Sequence, residues 1–242
     1  MKVLLISAAA GAGHIRAAQA IKKQIELDHP DWNIEHIDLL DYLSIPSKKI
    51  FFDSYGVITK KAPFLWGWFF DIFNKPNVTK ISDKIVKSLI LIHSNKIINY
   101  INISQPDVII CTHPTATNVI TIKSTELSKK PDLWTVVTDY KMHLFWVHKN
   151  SNYFVPTEEI KKELINKYNF NANNVVVSGI PISPDFYTSQ DIPTLKNKYS
   201  FNNNPIILIL SGGEGLVKSD KITKEIIKIK APLNIITIAG KN

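Results

Sequence analysis

His14 stands where a small-residue loop, Ser7 to Gly13, passes into helical spacing. It is the only titratable side chain next to that loop. An imidazole ionises near pH 6.5, so it can take or give a proton at neutral pH. Ahead of the loop, Val3 to Ile6 is an apolar run that suits a buried strand. Strand, glycine loop and helix in that order aim backbone N–H groups from the positive end of a helix dipole, which stabilises an anion or a developing negative charge. Other polar groups follow short apolar runs in the same way. Thr112-His113 follows Val108 to Cys111, Thr138-Asp139 follows Leu133 to Val137, and Gly179-Ile180 follows Val175 to Val177.

The elements that must position these groups alternate. Ile15, Ala18, Ile21 and Ile25 mark one face of a first helix, and His29-Pro30 stops it because proline cannot continue the backbone bonding. Asn33 to Asp38 reads as a second strand, and residues 82–103 as a long helix with Ile85, Leu89 and Ile92 on one face. Pro106-Asp107 breaks that helix; another starts at Thr115. Asn152 to Val155 is a short strand, capped by Pro156-Thr157-Glu158 into a charged helix to Tyr168. Such alternation predicts an α/β fold with a doubly wound parallel sheet. Ligands bind outside the carboxyl ends of such strands, so the polar groups are expected to converge on one rim. Pro181, Pro184, Gln190, Pro193 and Asn202 to Asn204 then read as a linker. After it the opening pattern repeats, with strand Ile206–Leu210, loop Ser211–Gly215, helix Leu216–Ile229 and strand Asn234–Ala239. The expected domains are 1–185, a linker 186–204, and an incomplete second domain 205–242. Two parallel strands and one helix cannot close a core, so the chain reads as cut short or as covered by something else.

Composition narrows the classes. With 242 residues and 45% apolar content the chain can bury a sizeable core. Its longest apolar run, Phe64 to Phe70, is far below the roughly 18 residues of a membrane span. Cys111 is the single cysteine, which excludes an internal disulfide and fits a reducing compartment. A net charge of +8 favours an anionic partner. The lysines are scattered, which a solvated surface also explains, and no basic cluster is interleaved with stacking aromatics, so nucleic acid is not expected. Pro63 to Phe73 is aromatic and flanked by Lys60, Lys61 and Lys75. Two readings stand for it: core, or an interfacial segment with Phe64, Trp66, Trp68 and Phe69 at an anionic lipid surface. A secretory leader fits poorly, because the apolar run leads into an amphipathic helix carrying Arg16, Lys22 and Lys23. A dinucleotide loop needs three glycines where only Gly11 and Gly13 occur. Asp38 is either the ribose-binding acid of such a fold or a helix cap. No Asp-x-Asp pair and no His-x-x-x-His spacing occurs, so no metal site is expected.

Taken in order, Gly11-Ala12-Gly13-His14, Thr112-His113-Pro114, Val137-Thr138-Asp139-Tyr140 with His143 and Trp146, Tyr153 to Glu159, and Gly179-Ile180-Pro181 carry a likeness. The chain resembles the monogalactosyldiacylglycerol synthases and the related processive diacylglycerol glucosyltransferases of bacteria, in glycosyltransferase family 28. The resemblance implies a GT-B arrangement of two Rossmann-like domains, the first binding a lipid acceptor and the second a UDP-sugar. Ala12 departs from a frequent glycine, and Glu214 puts an acid in the second glycine loop. The family's later donor-site segment, a glycine-rich stretch and a ribose-holding acid, has no counterpart up to Asn242.

The implied reaction is inverting hexosyl transfer from UDP-glucose or UDP-galactose to diacylglycerol, without a further cofactor, on the inner face of the cell membrane. It needs a base for the acceptor hydroxyl and N–H groups or positive charge for the departing UDP. His14 suits the base. Asp139 orients that histidine, acts as base itself, or is a helix cap. Gly11, Gly13, His113, His143 and Trp146 are acceptor-site candidates, the last three with a core role as the alternative. Gly212, Gly213 and Gly215 would approach the diphosphate, and Gly240 with Asn242 would border the uracil. Two other functions compete: an inactive acceptor- and membrane-binding fragment, and a UDP-sugar 2-epimerase.

Overall fold

Val3, Leu4, Leu5 and Ile6 are all buried, so the first strand, β1 (Lys2–Ser7), has both faces covered. That is the signature of a parallel strand with helices on either side. The computed structural model describes residues 1–9, 12–43, 94–212 and 217–240. Gly11, Phe64, Trp66, Trp68, Phe69, Gly213, Gly215 and Asn242 lie outside the described residues. So do the expected helical residues 82–93 and Glu214.

Helix α1 (Ala12–Asp28) returns the chain to β2 (Asn33–Asp38), which pairs in parallel with β1. Helix α2 (Asn95–Ser104) ends at Gln105, whose left-handed backbone (φ 50°) precedes Pro106. There follow β3 (Val108–Cys111), α3 (Pro114–Ile122), β4 (Asp132–Val136), β5 (Asn152–Val155), α4 (Glu158–Tyr168) and β6 (Val175–Val177). The six strands form one parallel sheet in the order β2-β1-β3-β4-β5-β6. β1 therefore has its sequence neighbour on one side and β3 on the other. The connections leaving β1 and β3 run to opposite sides there, the switch point at which ligands bind in sheets of this kind.

Alternate residues divide the core. Leu4 and Ile6 pack with Ile97, Ile98 and Ile101 of α2 and Val119 and Ile120 of α3. Val3 and Leu5 face the other layer, against Ile21 and Ile25 of α1. Each such Leu or Ile contributes about 1.5–3 kcal/mol by leaving water, which holds β1 as an interior strand of the sheet. A third cluster, centred on Tyr153, Trp146 and Leu164, joins β5 and α4 to the segment after β4. Asp38 settles into the capping alternative: its carboxylate accepts from the N–H of Leu40 at 2.9 Å and of Ala9 at 3.3 Å.

Met1–Phe186 and Tyr187–Asn242 form two compact units. In the second, α5 (Ile192–Lys198) occupies the stretch expected as a linker. Asp191 caps this helix and Pro193 sits in its first turn. A proline there loses no bond, since the first helical N–H groups have no partner within the helix, so the residue read as part of a linker starts a helix. β7 (Ile206–Leu210), α6 (Ser219–Lys228) and β8 (Asn234–Ile238) then make a parallel βαβ unit. Ile206, Leu208 and Leu210 on one face of β7 stay exposed, as a two-stranded sheet with a single covering helix implies.

Candidate active site

Backbone ladders bring the first polar groups together. The N–H of Thr112 donates to the carbonyl of Ile6 at 3.0 Å, extending the β1–β3 pairing one residue past β3. The N–H of Val137 donates to the carbonyl of Phe154 at 2.9 Å, doing the same between β4 and β5. Thr112 and Thr138 are thus fixed at the sheet's carboxyl rim. Opposite them, His14 lies in the first turn of α1, within half-buried surroundings.

Thr112 clamps His14 twice. Its hydroxyl donates to the His14 carbonyl at 2.8 Å, and its carbonyl receives His14 Nδ1 at 2.7 Å. A carbonyl only accepts, so Nδ1 carries the proton. The other ring nitrogen, Nε2, then holds the lone pair, and it has no hydrogen bond to a described residue. Burial pulls the His14 pKa below the usual imidazole value, opposed by the Thr112 carbonyl and by the negative charge of Asp139. The ring is therefore neutral at pH 7 and available as a base through Nε2.

His113 packs edge-on against His14, with ring centroids 4.6 Å apart. It is the N-cap of α3: its Nδ1 accepts from the N–H of Thr115 at 3.2 Å, and Pro114 fills the first helical position. Nδ1 as acceptor places the proton of this neutral ring on Nε2, the opposite tautomer from His14. Burial, with a smaller push from His14, lowers its pKa to about 3. The capping role is a structural reason for a histidine at 113, and the contact with His14 places it in the site as well.

Asp139 does not orient His14 through a hydrogen bond. Its Oδ2 accepts from the indole N–H of Trp146 at 2.8 Å, and it acts on His14 and His143 by charge. His143 leads a short 3-10 turn, Leu144–Trp146, and its pKa is lowered by burial against the raising effect of Asp139. For Trp146 the core alternative replaces the acceptor-site expectation. With 1% of its surface exposed it has no face to offer a sugar or a lipid. It is a support, its ring 6.1 Å from that of His14 and its N–H on Asp139.

Tyr153 holds this support. Its hydroxyl donates to the Trp146 carbonyl at 2.6 Å and accepts from the His148 N–H at 2.7 Å, bracketing the end of the turn. The side chain is fully buried. Tyr153→Phe leaves one buried and one partly buried backbone group without this partner, so a loss of about 1–3 kcal/mol is expected. Urea unfolding should show a lower midpoint with an unchanged slope. An unchanged midpoint would mean that the bracket is idle.

The glycines differ in kind. Gly13 is exposed in the first turn of α1, and a Cβ there would meet no atom within 4 Å, so the backbone faces open space. Gly212 (φ +70°) and Gly240 (φ +68°) follow β7 and β8 in the left-handed region that side chains rarely adopt. Gly179 does the same after β6. Among the described residues no three His, Cys, Asp or Glu side chains are grouped to hold a metal, and no helix is long and apolar enough to cross a membrane. The sequence places Thr112 and Thr138 on the rim and Tyr153 in a family motif, but assigns none of the three a role of its own. The available signal was the threonine immediately before His113 and before Asp139, each at a strand end.

A family model described as monogalactosyldiacylglycerol (MGDG) synthase matches residues 14–182. A processive diacylglycerol beta-glucosyltransferase of Bacillus pumilus is 28% identical over 246 residues, covering 100% of this chain and 61% of the relative. One of Staphylococcus haemolyticus is 25% identical over 251 residues, covering 100% and 60%. The chain thus spans about three fifths of the length of the curated relatives it matches. A crystal structure of Anabaena Alr3699/HepE in complex with UDP and glucose aligns at 12% identity and a TM-score of 0.46, over 98% of this chain and 60% of that one.

Proposed function

Because the chain belongs to the monogalactosyldiacylglycerol synthase family, we propose that it supplies the acceptor side of a glycosyltransferase that moves a hexose from a UDP-sugar to diacylglycerol. The observation that carries this reading is the span of the family match, 14–182, which encloses His14, Thr112, His113, Thr138, Asp139, His143 and Trp146. The relatives named as diacylglycerol glucosyltransferases support glucose over galactose and transfer over epimerisation.

In the proposed step the diacylglycerol hydroxyl lies against His14 Nε2. The O–H bond breaks as its proton passes to Nε2, and the oxygen forms a bond to the anomeric carbon. The bond from that carbon to the UDP oxygen breaks with its electron pair leaving on UDP, so the configuration inverts. The resulting imidazolium is stabilised by the Thr112 carbonyl on Nδ1 and by the Asp139 charge. Gly13 leaves backbone room beside the base, and His113 lines the same wall. The loops after β7 and β8, with Gly212, Gly213, Gly215, Gly240 and Asn242, are proposed for the donor. Phe64, Trp66, Trp68 and Phe69 are proposed to dock at an anionic lipid surface from the cytoplasmic side.

The test uses the complete open reading frame that carries these residues, with labelled UDP-glucose or UDP-galactose and vesicles containing diacylglycerol. Labelled glycosyldiacylglycerol should form, faster with anionic lipid and slower with added salt. Binding to the same vesicles without any labelled lipid would support the inactive acceptor-binding fragment instead.

A further inference from the structure

Two acceptors, not one, surround the protonated nitrogen of His14. Besides the Thr112 carbonyl at 2.7 Å, the Thr138 hydroxyl oxygen lies 2.9 Å from Nδ1. A hydroxyl can give or take, but here its direction is fixed. Were Thr138 the donor, Nδ1 would have to be bare, and its lone pair would face that of the Thr112 oxygen at 2.7 Å. The Nδ1–H is therefore shared between the two oxygens, and Thr138 accepts.

We propose that Thr138 is a positioning residue which, together with the Thr112 carbonyl, locks His14 in the tautomer that leaves Nε2 basic. The inference rests on the base role given to His14 above and extends it to a residue that need not touch substrate. Its chemistry resembles the carboxylate partner of a catalytic histidine, with neutral oxygens in place of the charge. When Nε2 takes a proton, Nδ1–H becomes part of a cation, and bonds from it strengthen to about twice those of a neutral donor. Thr138 therefore favours the product of proton transfer over its starting state. The charged or titratable neighbours that face the ring are Asp139, from the segment after β4, and His113, from the head of α3. Asp139 adds a general pull on a proton but makes no hydrogen bond to either nitrogen, so it cannot select between them.

The test compares Thr138→Val and Thr138→Ser. Valine keeps the shape and removes the oxygen, whereas serine keeps the oxygen and removes the methyl. In the 242-residue chain with nitrogen-labelled histidine, long-range proton–nitrogen spectra report which ring nitrogen is protonated; the His14 signals are identified by their absence in His14→Ala. Wild type should show Nδ1–H; Thr138→Val should keep that tautomer through the Thr112 carbonyl but shift the Nδ1–H resonance and lower the protonation midpoint; Thr138→Ser should show the wild-type pattern. In the complete protein Thr138→Val should lower kcat roughly tenfold with the donor KM unchanged, and serine should restore it. A His14 spectrum unaltered by valine overturns the proposal, as does a valine defect that serine fails to rescue. The spectra need no substrate, so they stand or fall separately from the transferase reading.

Discussion

In the proposed transferase, His14→Ala should lower hexosyl transfer to diacylglycerol by at least a hundredfold, while the chain stays folded. Removing a general base typically costs about 10²–10⁴ in rate. The side chain lies half-buried in the first turn of α1, where alanine is a better helix former than histidine. What disappears is the one imidazole whose Nδ1 proton is committed to the Thr112 carbonyl, so that Nε2 carries the lone pair. His113 cannot replace it. Its Nδ1 is occupied by the Thr115 N–H and its pKa is lowered to about 3, so it stays a neutral ring with the opposite tautomer. Steady-state turnover in mixed micelles, with unfolding curves as the control, separates loss of chemistry from loss of fold. Undiminished turnover in the variant would remove His14 from the base role and leave Asp139 as the candidate.

Trp146→Ala should be the most destabilising of these changes, by about 3–5 kcal/mol. Trp146 is 1% exposed and sits in the cluster with Tyr153, Leu164 and Phe170. Emptying that space takes a large share of the roughly 5–15 kcal/mol by which domains are stable. Part of the loss is polar, because the half-buried Asp139 carboxylate is left without its 2.8 Å indole donor. Trp146→Phe separates the two contributions in large part: it keeps an aromatic ring in the cluster and removes the N–H with a smaller share of the volume. A charged-group hydrogen bond of this kind is worth about 1.5–3 kcal/mol, so phenylalanine should lose about half as much as alanine. Thermal and urea unfolding of both variants measures the difference. A phenylalanine variant as stable as wild type would mean that the Asp139 bond contributes nothing.

The sequence displayed the scaffold through features that act locally. The apolar run Val3 to Ile6, the spacing of Ile21 and Ile25, and the stop at Pro30 depend only on neighbours, and β1, α1 and β2 follow them. The strand-end rule then gathered His14, Thr112-His113 and Thr138-Asp139 on one rim without any knowledge of side-chain contacts. What local reading missed depends on partners distant in the chain. The His14 tautomer is set by a carbonyl 98 residues away, and no residue-type pattern encodes which backbone oxygen faces a ring. Asp139 was weighed as a partner for His14 because both titrate, yet an indole seven residues further on takes its oxygen. Trp146 stood as an acceptor-site candidate beside a core role because tryptophan serves sugars and cores equally well. Its burial is settled by the Tyr153 bracket, which is itself a tertiary feature. Pro193 shows the opposite kind of miss: a local rule was available, but the linker reading was applied where the first-turn reading held.

The most direct measurement of the central claim is the pH dependence of kcat/KM for diacylglycerol, with the UDP-sugar saturating, in wild type and His14→Ala. A neutral imidazole base is lost as pH falls through its pKa, and burial of His14 sets that pKa below the ordinary value of about 6.5. Wild type should therefore hold its rate through neutral pH and fall with unit slope on the acid side below 6.5, and the residual activity of His14→Ala should lack that limb. The same acid limb persisting in His14→Ala would contradict the account and place the base elsewhere.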